Sequence, residues 1–168
     1  MKAWRVHRHG RPVHALRLDD IEALEPGPKQ VRIAVATTVL NFNDIDGCHG
    51  RYRTVSPPLP YTAGMEVVGV VDRVGAGAED WLGRRVMATP DGAFGGYAEQ
   101  AIAGLDMLFE APESLKDRDA AAFFFPFHLS YLALHERARL LPGETVLIHA
   151  AAGGIGSAAL QLANRRRE

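Results

Sequence analysis

One stretch near the end of the sequence decides the fold: Thr145-Val146-Leu147-Ile148-His149-Ala150-Ala151-Ala152-Gly153-Gly154-Ile155-Gly156, followed by Ser157-Ala158-Ala159-Leu160-Gln161-Leu162-Ala163. Residues 145–150 are a continuous apolar run, the mark of a strand buried on both faces. Residues 151–156 are a glycine-rich turn, and 157–163 read as a helix of small residues. A buried strand, a glycine turn and a helix start, in that order, open a dinucleotide-binding unit. Gly153 lets the backbone approach a pyrophosphate, and Gly156 lets the helix pack closely on the strand. The free N–H groups and positive end of the helix then face the anion. The strict fingerprint begins with glycine, and Ala151 stands there instead. The turn therefore reads either as a cofactor cradle or as an ordinary tight connection. An acidic residue that holds a ribose hydroxyl is expected about 20 residues after the fingerprint. That position falls beyond Glu168. Only one strand and one helix of the nucleotide fold are present, so either another chain supplies the rest or the sequence is truncated.

Upstream, Ser114-Leu115-Lys116-Asp117 resembles a capped helix start, continued by 119–124 as far as Pro126. Leu129, Leu132, Ala133 and Leu140 recur at helical spacing and predict a second helix over 128–140. Before residue 113 the texture is that of β structure. Short strands are predicted at 31–35, 67–74, 85–88, 97–102 and 107–110, separated by glycine- and proline-bearing turns. Many short strands with frequent turns indicate a small barrel or sandwich. The expected fold class is mainly β with α+β character: a barrel over 1–112, then linker helices and the first β-α unit of a truncated nucleotide fold over 113–168.

Composition narrows the function. The 168 residues allow one domain, or one and a fraction. Lys+Arg number 19 and Asp+Glu 20, a net charge of −1 that argues against a nucleic-acid binder. The Arg165-Arg166-Arg167 cluster reads as a solvated tail. No apolar run reaches membrane-spanning length, and Met1–Arg8 has no apolar core of a signal peptide. A single cysteine, Cys48, excludes an internal disulfide and a four-cysteine zinc site, and the default setting is cytoplasmic. The histidines lack metal-ligand spacing. His149 is expected to be a satisfied core residue.

An ordered set of motifs gives the chain a family resemblance. It includes Asn41-Phe42-Asn43-Asp44 with Gly50-Arg51-Tyr52, then Gly64-Met65-Glu66-Val67-Val68-Gly69-Val70-Val71. Gly83-Arg84-Arg85-Val86, Gly95-Gly96-Tyr97-Ala98-Glu99, Pro142-Gly143-Glu144 and the 146–156 stretch follow. The set resembles the N-terminal half of the zinc-free quinone oxidoreductase branch of the medium-chain dehydrogenase/reductase superfamily. The resemblance implies a GroES-like β-barrel domain, then a Rossmann domain that is only begun. It implies hydride transfer from NADPH to a quinone or an α,β-unsaturated carbonyl. Zinc-dependent cousins place cysteine where Asn41 stands and histidine where Met65 stands. An amide and a thioether are poor replacements for those ligands.

The resemblance also suggests site residues. Asn41 would lie beside the nicotinamide and substrate, donating to oxygen charge as it develops; alternatively it caps a loop. Ser130 stands where the family often has a threonine touching the nicotinamide carboxamide, or it is an ordinary helix serine. Tyr52 either lines the quinone site or packs. Asp44 is expected to order the loop around Asn41. Gly153, Gly154, Ile155 and Gly156 are the expected cofactor contacts. The aromatic run Phe123-Phe124-Phe125-Pro126-Phe127 is core, or a partner surface. The resemblance thus implies a zinc-independent reductase half, expected to be inactive alone and to form a homodimer. The alternative is a non-enzymatic GroES-like module that oligomerises or binds.

Overall fold

The computed structural model describes residues 1–164; the Arg165–Arg167 cluster lies outside them. Strand β1 (Lys2–Val6), helix α1 (Pro12–Ala15) and β2 (Leu16–Asp20) come first. Next are β3 (Gln30–Thr38), α2 (Phe42–Cys48), β4 (Tyr61–Thr62) and β5 (Val67–Val74). Then follow β6 (Arg85–Ala88), β7 (Gln100–Gly104), β8 (Leu108–Glu110), α3 (Asp117–Tyr131) and α4 (Gly154–Asn164). Two compact units divide the chain, residues 1–121 and 122–168.

In the first unit all ladders are antiparallel. They form a three-stranded sheet, β2-β1-β4, and a five-stranded sheet, β7-β3-β5-β6-β8. β7 and β8 stand at the edges of the larger sheet, so among the described residues the expected barrel is not closed by a continuous ladder. An isolated bridge between Ala3 and Ala98 joins the segment before β7 to β1. Residues of period two drive the larger sheet. Val31 and Ile33 from β3, Val67 and Val71 from β5, Val86 from β6 and Ala101 and Ala103 from β7 form one core. A second core gathers Val6, Ala15, Cys48, Tyr61, Met65 and Phe94 beneath α1 and α2. Buried Arg32 is satisfied by a two-pronged contact to Asp72, at 2.8 and 3.0 Å, and by the Leu24 carbonyl at 3.0 Å.

The second unit departs from expectation in three places. Pro126 does not separate two helices: α3 runs through it to Tyr131 and continues as a π-helical turn over Leu132–Arg137. Proline removes the hydrogen bond to the carbonyl four residues back. That carbonyl belongs to exposed Ala122, where water can replace the lost donor. Phe123 stacks on Phe127 at 4.4 Å and Phe124 meets His128 edge-on at 4.9 Å, side-chain pairs that span the proline turn. Within the aromatic run, Phe124 is buried and Phe123 is partly exposed.

Residues 145–150 are not a strand. A strand needs a ladder, and among the described residues nothing pairs with this segment. Val146 and Ile148 pack against Leu134, Leu140 and Ala159, whereas Leu147 is 81% exposed. The alternation of an extended chain survives with one face covered rather than two. His149 is exposed, not a core histidine. The third departure is minor: α4 begins at Gly154, three residues before the expected start.

Candidate functional site

The β3 strand ends at Thr38, and the chain turns into α2 through Asn41, the residue that caps the helix in an extended conformation (φ −117°, ψ 159°). Asp44, three residues on, accepts the Asn41 backbone N–H on Oδ2 at 2.8 Å. With the Asn41 side chain accepting from the Asp44 backbone N–H it completes a capping box, which explains why a short sequence without apolar periodicity forms a helix here. The Tyr97 hydroxyl donates to the same Oδ2 at 2.7 Å and is 3.1 Å from the Val39 carbonyl. Tyr97 reaches that position because Gly64, in the left-handed region at φ +94°, has no side chain. A Cβ there would lie 2.3 Å from the Tyr97 ring.

The Asn41 amide is held separately. Its Nδ2–H donates to Glu66 Oε1 at 2.7 Å. Glu66 is 2% exposed, and its own carbonyl accepts from Thr38 Oγ1 at 2.6 Å. Asn41, Asp44 and Tyr97 line a cavity of about 360 Å³ together with Leu16, Leu40 and Ile45. Few polar groups converge on a mostly apolar wall, the usual composition of a small-molecule site. Leu40 and Phe42 at its edge are each 86% exposed.

Burial sets the protonation of this cluster. It raises the Asp44 carboxyl above the ordinary aspartate range, against the lowering effect of the Tyr97 hydroxyl and the Asn41 N–H. Tyr97 is raised strongly, first by burial and then by Asp44, with a further contribution from Glu66. Burial, then the Asp44 charge, raises Cys48. Cys48 is therefore a buried thiol rather than a thiolate nucleophile. Tyr61 is pushed up to about 12 by burial.

The other expected residues fall elsewhere. Tyr52 packs edge-on against Phe94, 5.7 Å between ring centres, and belongs to the second core. In the second unit, Ser130 is buried and donates to the Ile155 carbonyl at 2.9 Å, tying α3 to the glycine turn. The turn closes through Gly153 N–H to the Ala150 carbonyl at 2.9 Å, and Ala150 itself has φ +52°. Gly156 is packed so tightly that a Cβ would lie 2.4 Å from the Ala150 oxygen and 2.7 Å from Ala151 Cα. Gly153, Gly154 and Ile155 are exposed. The first N–H groups of a helix have no partner within it, so α4 offers donors at an open corner. Glu66 and Tyr97 were quoted as motif residues but given no role by sequence reasoning. The signal for Glu66 was present: an acidic residue entering an apolar strand must find a partner.

Residues 27–113 match the family model of the alcohol dehydrogenase GroES-like domain. Human quinone oxidoreductase is 36% identical over 163 residues, 97% of this chain and 49% of that protein. The rat synaptic vesicle membrane protein VAT-1 homolog is 42% identical over 138 residues, 82% of this chain and 33% of that protein. Among solved structures, the human VAT-1 homolog-like protein superposes with a TM-score of 0.92 at 31% identity, covering 98% of this chain and 52% of that one. Quinone oxidoreductase from Thermus thermophilus, a structure that includes an NADPH complex, gives 0.84 at 38% identity, with 99% and 50% covered. The chain thus spans from a third to about half of the length of these relatives. Among the described residues no group of three or more His, Cys, Asp or Glu side chains could hold a metal ion, and no helix is long and apolar enough to cross a membrane. By sequence match and by fold, the chain belongs to the alcohol dehydrogenase GroES-like domain family and corresponds to the N-terminal half of its quinone oxidoreductase members.

Proposed function

We propose that this chain is the substrate-binding half, with the opening of the cofactor-binding half, of a zinc-independent NADPH-dependent reductase acting on a quinone or an α,β-unsaturated carbonyl. Residues 1–112 are the catalytic domain, and 113–168 are linker helices and the start of the dinucleotide-binding domain. The observation that carries the reading is the exposed glycine turn at the head of α4. There Gly156 allows the helix to approach Ala150, and backbone donors stand at an open corner.

NADPH, when bound, supplies the hydride. The protein supplies position and electrostatics. Gly153, Gly154, Ile155 and Gly156 hold the pyrophosphate through backbone N–H groups. Ser130 keeps the turn in place through Ile155 and retains acceptor capacity on its oxygen. Asn41 offers its amide to the nicotinamide and to the substrate oxygen as negative charge develops. The cavity around Leu16, Leu40 and Ile45 accepts the apolar ring or chain of the substrate, while Tyr52, packed on Phe94, lies outside its lining. The amide of Asn41 and the buried thioether of Met65 favour metal-free chemistry. A cytoplasmic setting fits the single buried cysteine.

A cofactor titration tests this. The 168-residue chain should show little or no NADPH oxidation with a quinone. The same chain extended to the length of its relatives should oxidise NADPH in a quinone-dependent way. An extended, folded chain that never does so refutes the reading. The exposed face of 145–150, with Leu147 at 81%, favours a second reading, a module that associates through that apolar face as an isologous dimer. A clean monomer in light scattering counts against it.

A further inference from the structure

We propose that Glu66 is the positioning residue that sets the orientation of the Asn41 amide. A primary amide is nearly symmetric in shape, and flipping it exchanges a donor for an acceptor at no steric cost. Only the hydrogen-bond partner chooses. At Asn41 the donor side is chosen by Glu66 Oε1, 2.7 Å from Nδ2, and the acceptor side by the Asp44 backbone N–H of the capping box. In the flipped amide two oxygens would meet at that distance.

Both ends of the contact are held. Glu66 is 2% exposed, stands immediately before central strand β5, and its carbonyl accepts from Thr38 Oγ1 at 2.6 Å. Asn41 is pinned at its backbone by Asp44 Oδ2 at 2.8 Å. With one N–H committed to Glu66 and the side-chain oxygen turned to the Asp44 N–H, Asn41 presents a single remaining N–H to whatever enters the site. A reaction that distinguishes donor from acceptor at this point then depends on a residue that touches neither cofactor nor substrate. This inference rests on the proposed role of Asn41.

The test has two readouts. In ¹⁵N-edited NMR of the 168-residue chain, one Asn41 side-chain amide proton should stand downfield of ordinary asparagine amides and exchange slowly. The isosteric Glu66→Gln should move it upfield and speed its exchange. Unmoved Asn41 signals in a folded Glu66→Gln chain overturn the inference, as does an ordinary, fast-exchanging pair in the parent. In the chain extended to the length of its relatives, Glu66→Gln should lower kcat about tenfold with KM within twofold. It should have no further effect in an Asn41→Ala background. An additive loss overturns the inference. Full turnover by Asn41→Ala sinks the catalytic role of Asn41 instead, while the NMR result still decides the coupling.

Discussion

Replacing Gly156 with alanine probes the corner on which the nucleotide-binding reading depends. In the middle of an ordinary helix this exchange stabilises by about 1 kcal/mol. Here the added Cβ would lie 2.4 Å from the Ala150 oxygen and 2.7 Å from Ala151 Cα, both backbone atoms that cannot rotate away. Ordinary contact begins near 3.4 Å, so α4 or the turn must move by about 1 Å in a close-packed setting. Overpacking of that size costs roughly 1–3 kcal/mol. Because both clashing atoms are backbone, the upper half of that range applies, about 2–3 kcal/mol, and set against the propensity gain a net loss of about 1–2 kcal/mol is expected. Gly154→Ala is the internal control, because its Cβ would meet only Pro126 Cγ at 3.6 Å. Amide hydrogen exchange along α4 reads the difference. Protection should fall about tenfold in Gly156→Ala, since 1.4 kcal/mol is a factor of ten, and should hold or rise in Gly154→Ala. Equal protection in Gly156→Ala and the parent would refute the close approach of helix and turn.

Three further outcomes are expected. Asp44 is raised by burial in the folded chain, so its contribution to stability is fully present below the ordinary aspartate pKa and is lost as pH rises through the raised value. Asp44→Asn should flatten stability against pH above about pH 4, and an unchanged slope in denaturant titrations would contradict this. Tyr97→Phe removes the donor to Asp44 Oδ2 and should cost about 1–2 kcal/mol in urea unfolding; a loss under a few tenths would mean the contact is idle. In the extended chain, Asn41→Ala should lower kcat on a quinone about a hundredfold, and steady-state kinetics at wild-type rate would remove Asn41 from the chemistry.

How much was legible in the sequence depends on what holds each element. The strands Val67–Val74 and Arg85–Ala88 coincide with their predicted limits, because β-branched runs between glycine breakers carry their own signal. The hairpin of β1 and β2 was not predicted: its burial alternates weakly, and its pairing is set by contacts with β4 and the segment before β7. Helix α2 was missed for a related reason. Phe-Asn-Asp-Ile-Asp-Gly-Cys has no apolar period, and the Asp44 cap does the work that a buried face usually does. At the candidate site the ordering role expected of Asp44 appears as its bond to the Asn41 N–H. The grip of Glu66 on the Asn41 amide joins residues 25 positions apart and leaves no local pattern. The apolar run 145–150 illustrates the opposite case. Its composition promises a two-sided strand, but extended chain becomes a strand only beside a neighbour, and only Val146 and Ile148 find cover.

The most direct measurement is NADPH titration of the extended chain followed by backbone amide NMR. If the turn at the head of α4 cradles the pyrophosphate, the amides of Gly153, Gly154, Ile155 and Gly156 should shift in a saturable way, and the Gly156→Ala chain should need more cofactor to reach the same point. Saturating NADPH that leaves every amide between 151 and 157 in place would contradict it.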